Sequence, residues 1–192
     1  AESDIEVYDL GALWDGKPVV EFDIEPFLVE GLILREKEFR AHVKQHDWGQ
    51  YADQHVAVYC STDAIVPTWA YMLMASKLEG IARSVTYGRK DDVLRDYFAR
   101  VLEAEDWAKY RDRIVVVKGC GSHIVPTSAY VGALQKLQRV ARKLMYGEPC
   151  SSVPLWRRPK AQAGKDPSVH PTDRKSPVGP APPVMPSTPE AK

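Results

Sequence analysis

Apolar positions along the chain follow two different spacings. Residues 56–59 and 114–117 are apolar at nearly every position, the pattern of strands buried on both faces in a parallel sheet covered by helices. Longer stretches with helical spacing and a charged face surround them, at residues 35–46 and 92–105 before each run and 67–81 and 126–140 after it. The last two open on Pro67 and Pro126, where a missing N–H costs a helix nothing. Further strands are expected at residues 5–8, 19–22, 85–87 and 144–146, with an apolar helical stretch around residues 27–34. Strands alternating with helices through short connections imply right-handed crossovers.

The two halves of this pattern carry the same residues. Offset by 59 positions, residues 39–88 align with 98–147 without a gap, with 19 identities in 50 pairs, where chance gives about three. Among the pairs are Asp47 and Asp106, Trp48 and Trp107, Asp53 and Asp112, and Arg83 and Arg142, together with the block Ile-Val-Pro-Thr at 65–68 and 124–127. Two units are too few for a solenoid, so they are expected to form one core through a pseudo-twofold relation, with halves at about 31–88 and 90–147. The tryptophans read as core anchors, and the aspartates as caps of the adjoining turns. The expected fold is a three-layer α/β domain over residues 1–156, built on one mostly parallel sheet from this internal repeat.

Composition changes the picture mainly at the C-terminus. Residues 157–192 hold nine of the 15 prolines, no aromatic residue, and seven basic against three acidic side chains, so a disordered Pro-rich tail is expected there. The body keeps 19 basic and 23 acidic groups, which argues against a nucleic-acid partner. No apolar run is long enough to span a membrane, and the first residues lack the pattern of a signal peptide, so a cytoplasmic protein is expected. Three cysteines, an odd number, read as reduced thiols.

In an open parallel sheet, ligands bind beyond the carboxyl ends of the strands. All three cysteines fall on that rim: Cys60 and Cys120 follow the two buried strands, and Cys150 follows the last one. Asp63 and His123 each lie three residues after a cysteine, in Cys-Ser-Thr-Asp and Cys-Gly-Ser-His. Thiolates with a carboxylate and an imidazole suit zinc, iron or an iron–sulfur cluster. The same residues also fit an activated thiol, and buried cysteines that merely fill space. His42 and His46 have a metal-ligand spacing without the surrounding HExxH, and no phosphate-loop, dinucleotide or nucleophile-elbow motif occurs.

At GLILREKEFR (31–40), HDW (46–48), CSTDAIVPTWAYML (60–73), KGC (118–120) and MYGEPCSSVPL (145–155), the chain resembles an uncharacterised bacterial family, domain of unknown function 2480. The resemblance covers about residues 4–158. It implies no established activity; genes of the family often neighbour the SUF iron–sulfur assembly genes, which implies an accessory role with assembly proteins as partners. Its pattern falls on Cys60, Asp63, Cys120 and Cys150, with His123 at a more variable position, and includes Arg35 and Glu36. The expected function is therefore a metal- or cluster-binding accessory protein. A non-catalytic interaction module and a thiol-dependent redox enzyme are the alternatives.

Overall fold

Eleven regular elements run through residues 5–118, 123–148 and 151–159, which the computed structural model describes. They are β1 (Ile5–Asp9), β2 (Val19–Asp23), α1 (Glu36–Gln45), β3 (His55–Tyr59), α2 (Thr68–Leu78), β4 (Ser84–Tyr87), α3 (Lys90–Ala104), β5 (Ile114–Lys118), α4 (Thr127–Gln138), β6 (Lys143–Glu148) and β7 (Ser151–Arg157). The fold is α/β with mostly parallel strands. Among the described residues no helix is long and apolar enough to cross a membrane.

The strands form two sheets rather than the single one expected. One has the order β2-β3-β4, all parallel; the other has β1-β5-β6 parallel, with β7 antiparallel on its edge. The chain divides because β1 does not stay beside β2. Its residues Ile5 to Asp9 pair with Ile114 to Lys118, while Val19 to Asp23 pair with His55 to Tyr59, so each buried central strand recruits its own neighbour.

Each sheet carries its own core. Phe39 and Val43 of α1 and Ala70, Met74 and Leu78 of α2 pack on Phe22, Val56 and Val58 of the first sheet. Phe98 and Leu102 of α3 and Ala133 and Leu137 of α4 pack on Val115, Val117 and Leu144 of the second. Helix α3 also serves the first sheet. The N–H of Lys90 donates to Glu21 Oε1 on β2 at 3.0 Å, and the Tyr97 ring lies 5.4 Å from that of His55 on β3. The layers therefore follow one another as α1 and α2, the first sheet, α3 and α4, and the second sheet. This relation is head to tail, not the expected pseudo-twofold, which would have set α1 against the second sheet as α3 stands against the first.

Local bonding matches at the 59-residue offset. Asp47 accepts from the Gly49 N–H at 3.0 Å and Asp106 from the Ala108 N–H at 3.0 Å, each capping a 3-10 turn, Trp48–Tyr51 and Trp107–Tyr110. Trp48 Nε1–H donates to Val43 O at 2.9 Å and Trp107 Nε1–H to Leu102 O at 3.0 Å, tying each corner to the preceding helix. Asp53 and Asp112 both take φ 58°, the left-handed region that Asp tolerates better than most side chains. Pro67 and Pro126 sit one place earlier than expected, as extended residues just before α2 and α4.

Two stretches depart from expectation. Residues 28–34 are not helical, and only a 3-10 turn, Glu25–Phe27, precedes them: positive φ at Glu30 and Gly31 turns the chain back, and Val29 bridges Ile33 in an antiparallel contact. Strand β7 is additional. Pro154 masks it in the sequence, yet a proline is tolerated on an outer strand, where its missing N–H faces away from the ladder. Arg157 thus closes the fold rather than opening the tail. Arg158 N donates to Arg142 O at 2.9 Å, and its guanidinium bonds Ala141 O at 2.9 Å and the Asp112 carboxylate.

Candidate functional site

The carboxyl rim of the first sheet is built by the turn that follows β3. Asp23, at the end of β2, accepts the N–H groups of Glu25 and Ser61 at 3.0 Å each. Burial raises the Asp23 carboxyl pKa, but the bonds from Ser61 and Glu25 and the nearby Arg89 outweigh it, so its net shift is downward. The Arg89 guanidinium lies 3.8 Å from the Tyr59 ring centroid, and its Nε is 3.2 Å from Glu21 Oε1.

Cys60 is half-buried on this rim, with Sγ 3.4 Å from Thr62 Oγ1. The single Thr62 hydroxyl proton goes to Gly31 O at 2.8 Å, so the cysteine S–H is the donor to Thr62. Asp63 is exposed on the same loop, and His123 is exposed on the loop before α4. Cys120 and Cys150 lie outside the described residues. Their flanking strand ends are defined: Lys118 closes β5 and Glu148 closes the adjacent β6, in the other sheet from Cys60. Among the described residues no three His, Cys, Asp or Glu side chains converge as a metal ion requires.

The weaker candidates have structural partners. His46 packs on Phe22, Phe27 and Trp48, with Nε2 3.2 Å from Tyr51 Oη, and burial lowers its pKa. His42 is exposed on α1. Arg35 pairs with Glu38 at 3.5 Å and Glu36 with Arg40 at 2.8 Å, both along the exposed surface of α1, so they brace the helix. Arg83 pairs with Asp15 at 3.3 Å.

An apolar groove of about 470 Å³ lies between α2 and strands β3 and β4. Val58 and Val85 form its floor, Val66 and Ala75 its sides, and Tyr71, Met72 and Tyr87 its mouth. Tyr71 and Tyr87 meet edge to face with centroids 4.9 Å apart. Burial raises the Tyr71 pKa, helped by Tyr87, Cys60 and Asp23, so the rim and the groove adjoin. Met72 and Tyr87 are 67% and 71% exposed, far more than side chains of their size in a settled core. Beside the groove, β4 is the outer strand of its sheet.

At the second unit's equivalent positions the side chains are larger. Leu134 and Leu144 stand where the first unit has Ala75 and Val85, and Trp156 of β7, paired with Leu144, packs on the same core. A sequence signal for the groove existed in those two pairs, smaller in the first copy than in the second.

A polar network of a different kind sits at the opposite end of the first sheet. His55, 1% exposed, has Nδ1 2.7 Å from Ser84 Oγ and Nε2 3.1 Å from both Asp15 oxygens. Serine, histidine and aspartate in one chain suggest nucleophilic chemistry. However, the Trp14 and Tyr97 rings cover the imidazole at 5.0 and 5.4 Å, and the assembly instead fastens the segment between β1 and β2 beneath β3. At the equivalent positions the second unit has Ile114 and Lys143, so this network belongs to the first unit alone.

No curated protein and no solved structure matches the chain. The family model described as protein of unknown function DUF2480 matches residues 1–158, and the chain belongs to that family.

Proposed function

We propose that the chain is a non-catalytic interaction module, whose working surface is the outer edge of β4 together with the groove beside it. The observation that carries this reading is the contrast between the units: β6 is covered by β7, with Trp156 opposite Leu144, whereas β4 has no strand on its outer side among the described residues. An unguarded edge strand offers N–H and C=O groups to an added strand, and a neighbouring pocket selects its side chain. The ligand is thus an extended polypeptide that presents an aromatic or branched side chain. Iron–sulfur assembly proteins are the partner class that the gene neighbourhood of the family favours. We read the two units as copies of one 59-residue ancestor, of which the second carries its own covering strand.

The test uses a labelled peptide of residues 151–157, Ser-Ser-Val-Pro-Leu-Trp-Arg, the strand that covers the second unit. Fluorescence anisotropy should rise saturably with the full chain and stay flat with Met72→Glu, which puts a charge at the groove mouth on an exposed position. Equal binding by both proteins, or none by the wild type, would overturn the reading.

The metal reading survives in a narrower form. Lys118 and Glu148 end adjacent strands, each two residues before a cysteine, so Cys120 and Cys150 start from neighbouring anchors. His123 follows on the same side, while Cys60 and Asp63 belong to the other sheet. Zinc, iron or a cluster held by Cys120, Cys150 and His123 is the form of that reading we retain.

A further inference from the structure

We propose that the β4 edge is first occupied by the chain's own C-terminal segment, residues 177–186, folded back over Tyr87 and the groove. The proposal rests on the strand-receiving reading above and names an internal competitor for the partner.

The second unit shows what fits over these tyrosines. Tyr130 and Tyr146 stand 59 places after Tyr71 and Tyr87, and each pair meets edge to face at an interplanar angle of 83°. Strand β7 sets Val153 directly opposite Tyr146, with Pro154 beside it opposite Met145. Side chains directly opposite in a ladder pack on each other. Tyr146 under this cover is 37% exposed, against 71% for Tyr87. A valine next to a proline is therefore the chemistry that such a tyrosine edge takes. Beyond Pro159 the sequence offers it twice, as Pro-Val-x-Pro at 177–180 and again at 183–186.

The backbone of β4 suits that motif. Gly88 N–H donates to Val58 O on β3 at 3.0 Å. Because groups alternate along a strand, Val85 and Tyr87 direct their N–H and C=O groups to the open side. With Val178 or Val184 opposite Tyr87, the two residues exchange both bonds. The proline before the valine then falls where an amide would face away from the ladder, as at Pro154. The proline after it, Pro180 or Pro186, falls opposite Val85, accepts the Val85 N–H on its C=O, and lays its ring over Val85 and Met72 at the groove. A proline-rich segment is already extended as polyproline II, so it loses little entropy on docking against aromatic rings.

The tether selects this segment over other strands of the same chemistry. Pro177 lies 18 positions beyond Pro159, the last described residue. That length spans up to about 60 Å, whereas a domain of this size is roughly 40 Å across. A segment held within reach has an effective concentration on the order of 1 mM. With a dissociation constant of only ~0.1 mM it occupies the edge about nine-tenths of the time and weakens a competing strand about ten-fold.

Anisotropy with two labelled peptides tests this on the full chain, as wild type and as a tail variant carrying Val178→Asp and Val184→Asp, both beyond the last strand. The 151–157 peptide should bind the tail variant about ten-fold more tightly than the wild type. A peptide of residues 177–186 should bind the tail variant and lose that binding when Met72→Glu is added. If both proteins bind the 151–157 peptide equally, or if it alone binds, the tail is overturned as occupant and the strand-receiving edge stands. If neither peptide binds either protein, both readings fall. Sedimentation velocity should show no association that depends on the two valines; association that rises with concentration and disappears in the tail variant would place the segment on another copy and overturn the contact within one chain.

Discussion

Trp156 stands opposite Leu144 across the β6–β7 ladder, on the side of the second core. Leu144 is fully buried, and Trp156 is the covering residue that its counterpart Val85 lacks. Trp156→Ala should therefore cost about 2 to 4 kcal/mol, the lower end of tryptophan truncations because the ring is only partly enclosed. Urea unfolding checks this. A loss below about 0.5 kcal/mol, the size of an ordinary surface change, would mean that β7 does not hold the second unit closed.

The two tryptophan corners make equivalent bonds, Trp48 to Val43 O and Trp107 to Leu102 O. Replacing either by Phe keeps most of the apolar area and removes one indole N–H. Each substitution should lower stability by about 1 kcal/mol, and the two should add within about 0.5 kcal/mol because they serve separate cores. Strong coupling in a double-variant cycle would show that the cores unfold through one shared contact.

What the sequence made legible was local. Residues 56–59 and 114–117, apolar on both faces, are buried strands, and the Asp-Trp corners are caps and anchors. Strand partners were not legible, because nothing in residues 5–8 or 19–22 says that the first strand will pass the second and join β5. The expected convergence of three cysteines rested on a single sheet, and two of them, Cys120 and Cys150, lie outside the described residues. Strand β7 was hidden by Pro154. The groove is an absence of volume, visible only when Ala75 and Val85 are set beside Leu134 and Leu144.

Asp15 gives the fold an acid-sensitive point. Burial raises its pKa, but the Lys17 N–H, His55 and Arg83 more than offset this, so the carboxyl titrates below its ordinary value of 3.8. A carboxylate depressed on folding contributes stability that is complete above its unfolded pKa and disappears as pH falls through the folded one. Asp15→Asn should therefore be less stable than the wild type at pH 7, by about 1 to 3 kcal/mol, because it leaves a buried imidazole short of its charged partner. The gap should narrow as pH falls from about 4, the unfolded value, through the lower pKa of the folded carboxyl. Chemical unfolding at pH 7 and pH 3 measures both values, and a gap that is constant with pH would remove Asp15 from the network's electrostatics.

The strands that precede the three cysteines belong to two sheets, which predicts how metal content responds to substitution. Helix α3 stands between the first sheet and the second, and a helix with its side chains is about 10 to 12 Å across. Thiolates sharing one zinc, at about 2.3 Å each, must lie within roughly 4 Å of one another. Metal and acid-labile sulfide retained after purification without oxygen or chelator should thus survive Cys60→Ser and be lost in Cys120→Ser and Cys150→Ser. His123→Ala should weaken retention without abolishing it. If Cys60→Ser strips the metal as completely as the other two, the loops after β3, β5 and β6 meet above α3 and all three thiols form one site. If the wild type stays metal-free after reconstitution, the cysteines hold no ion and the edge of β4 is left as the functional surface.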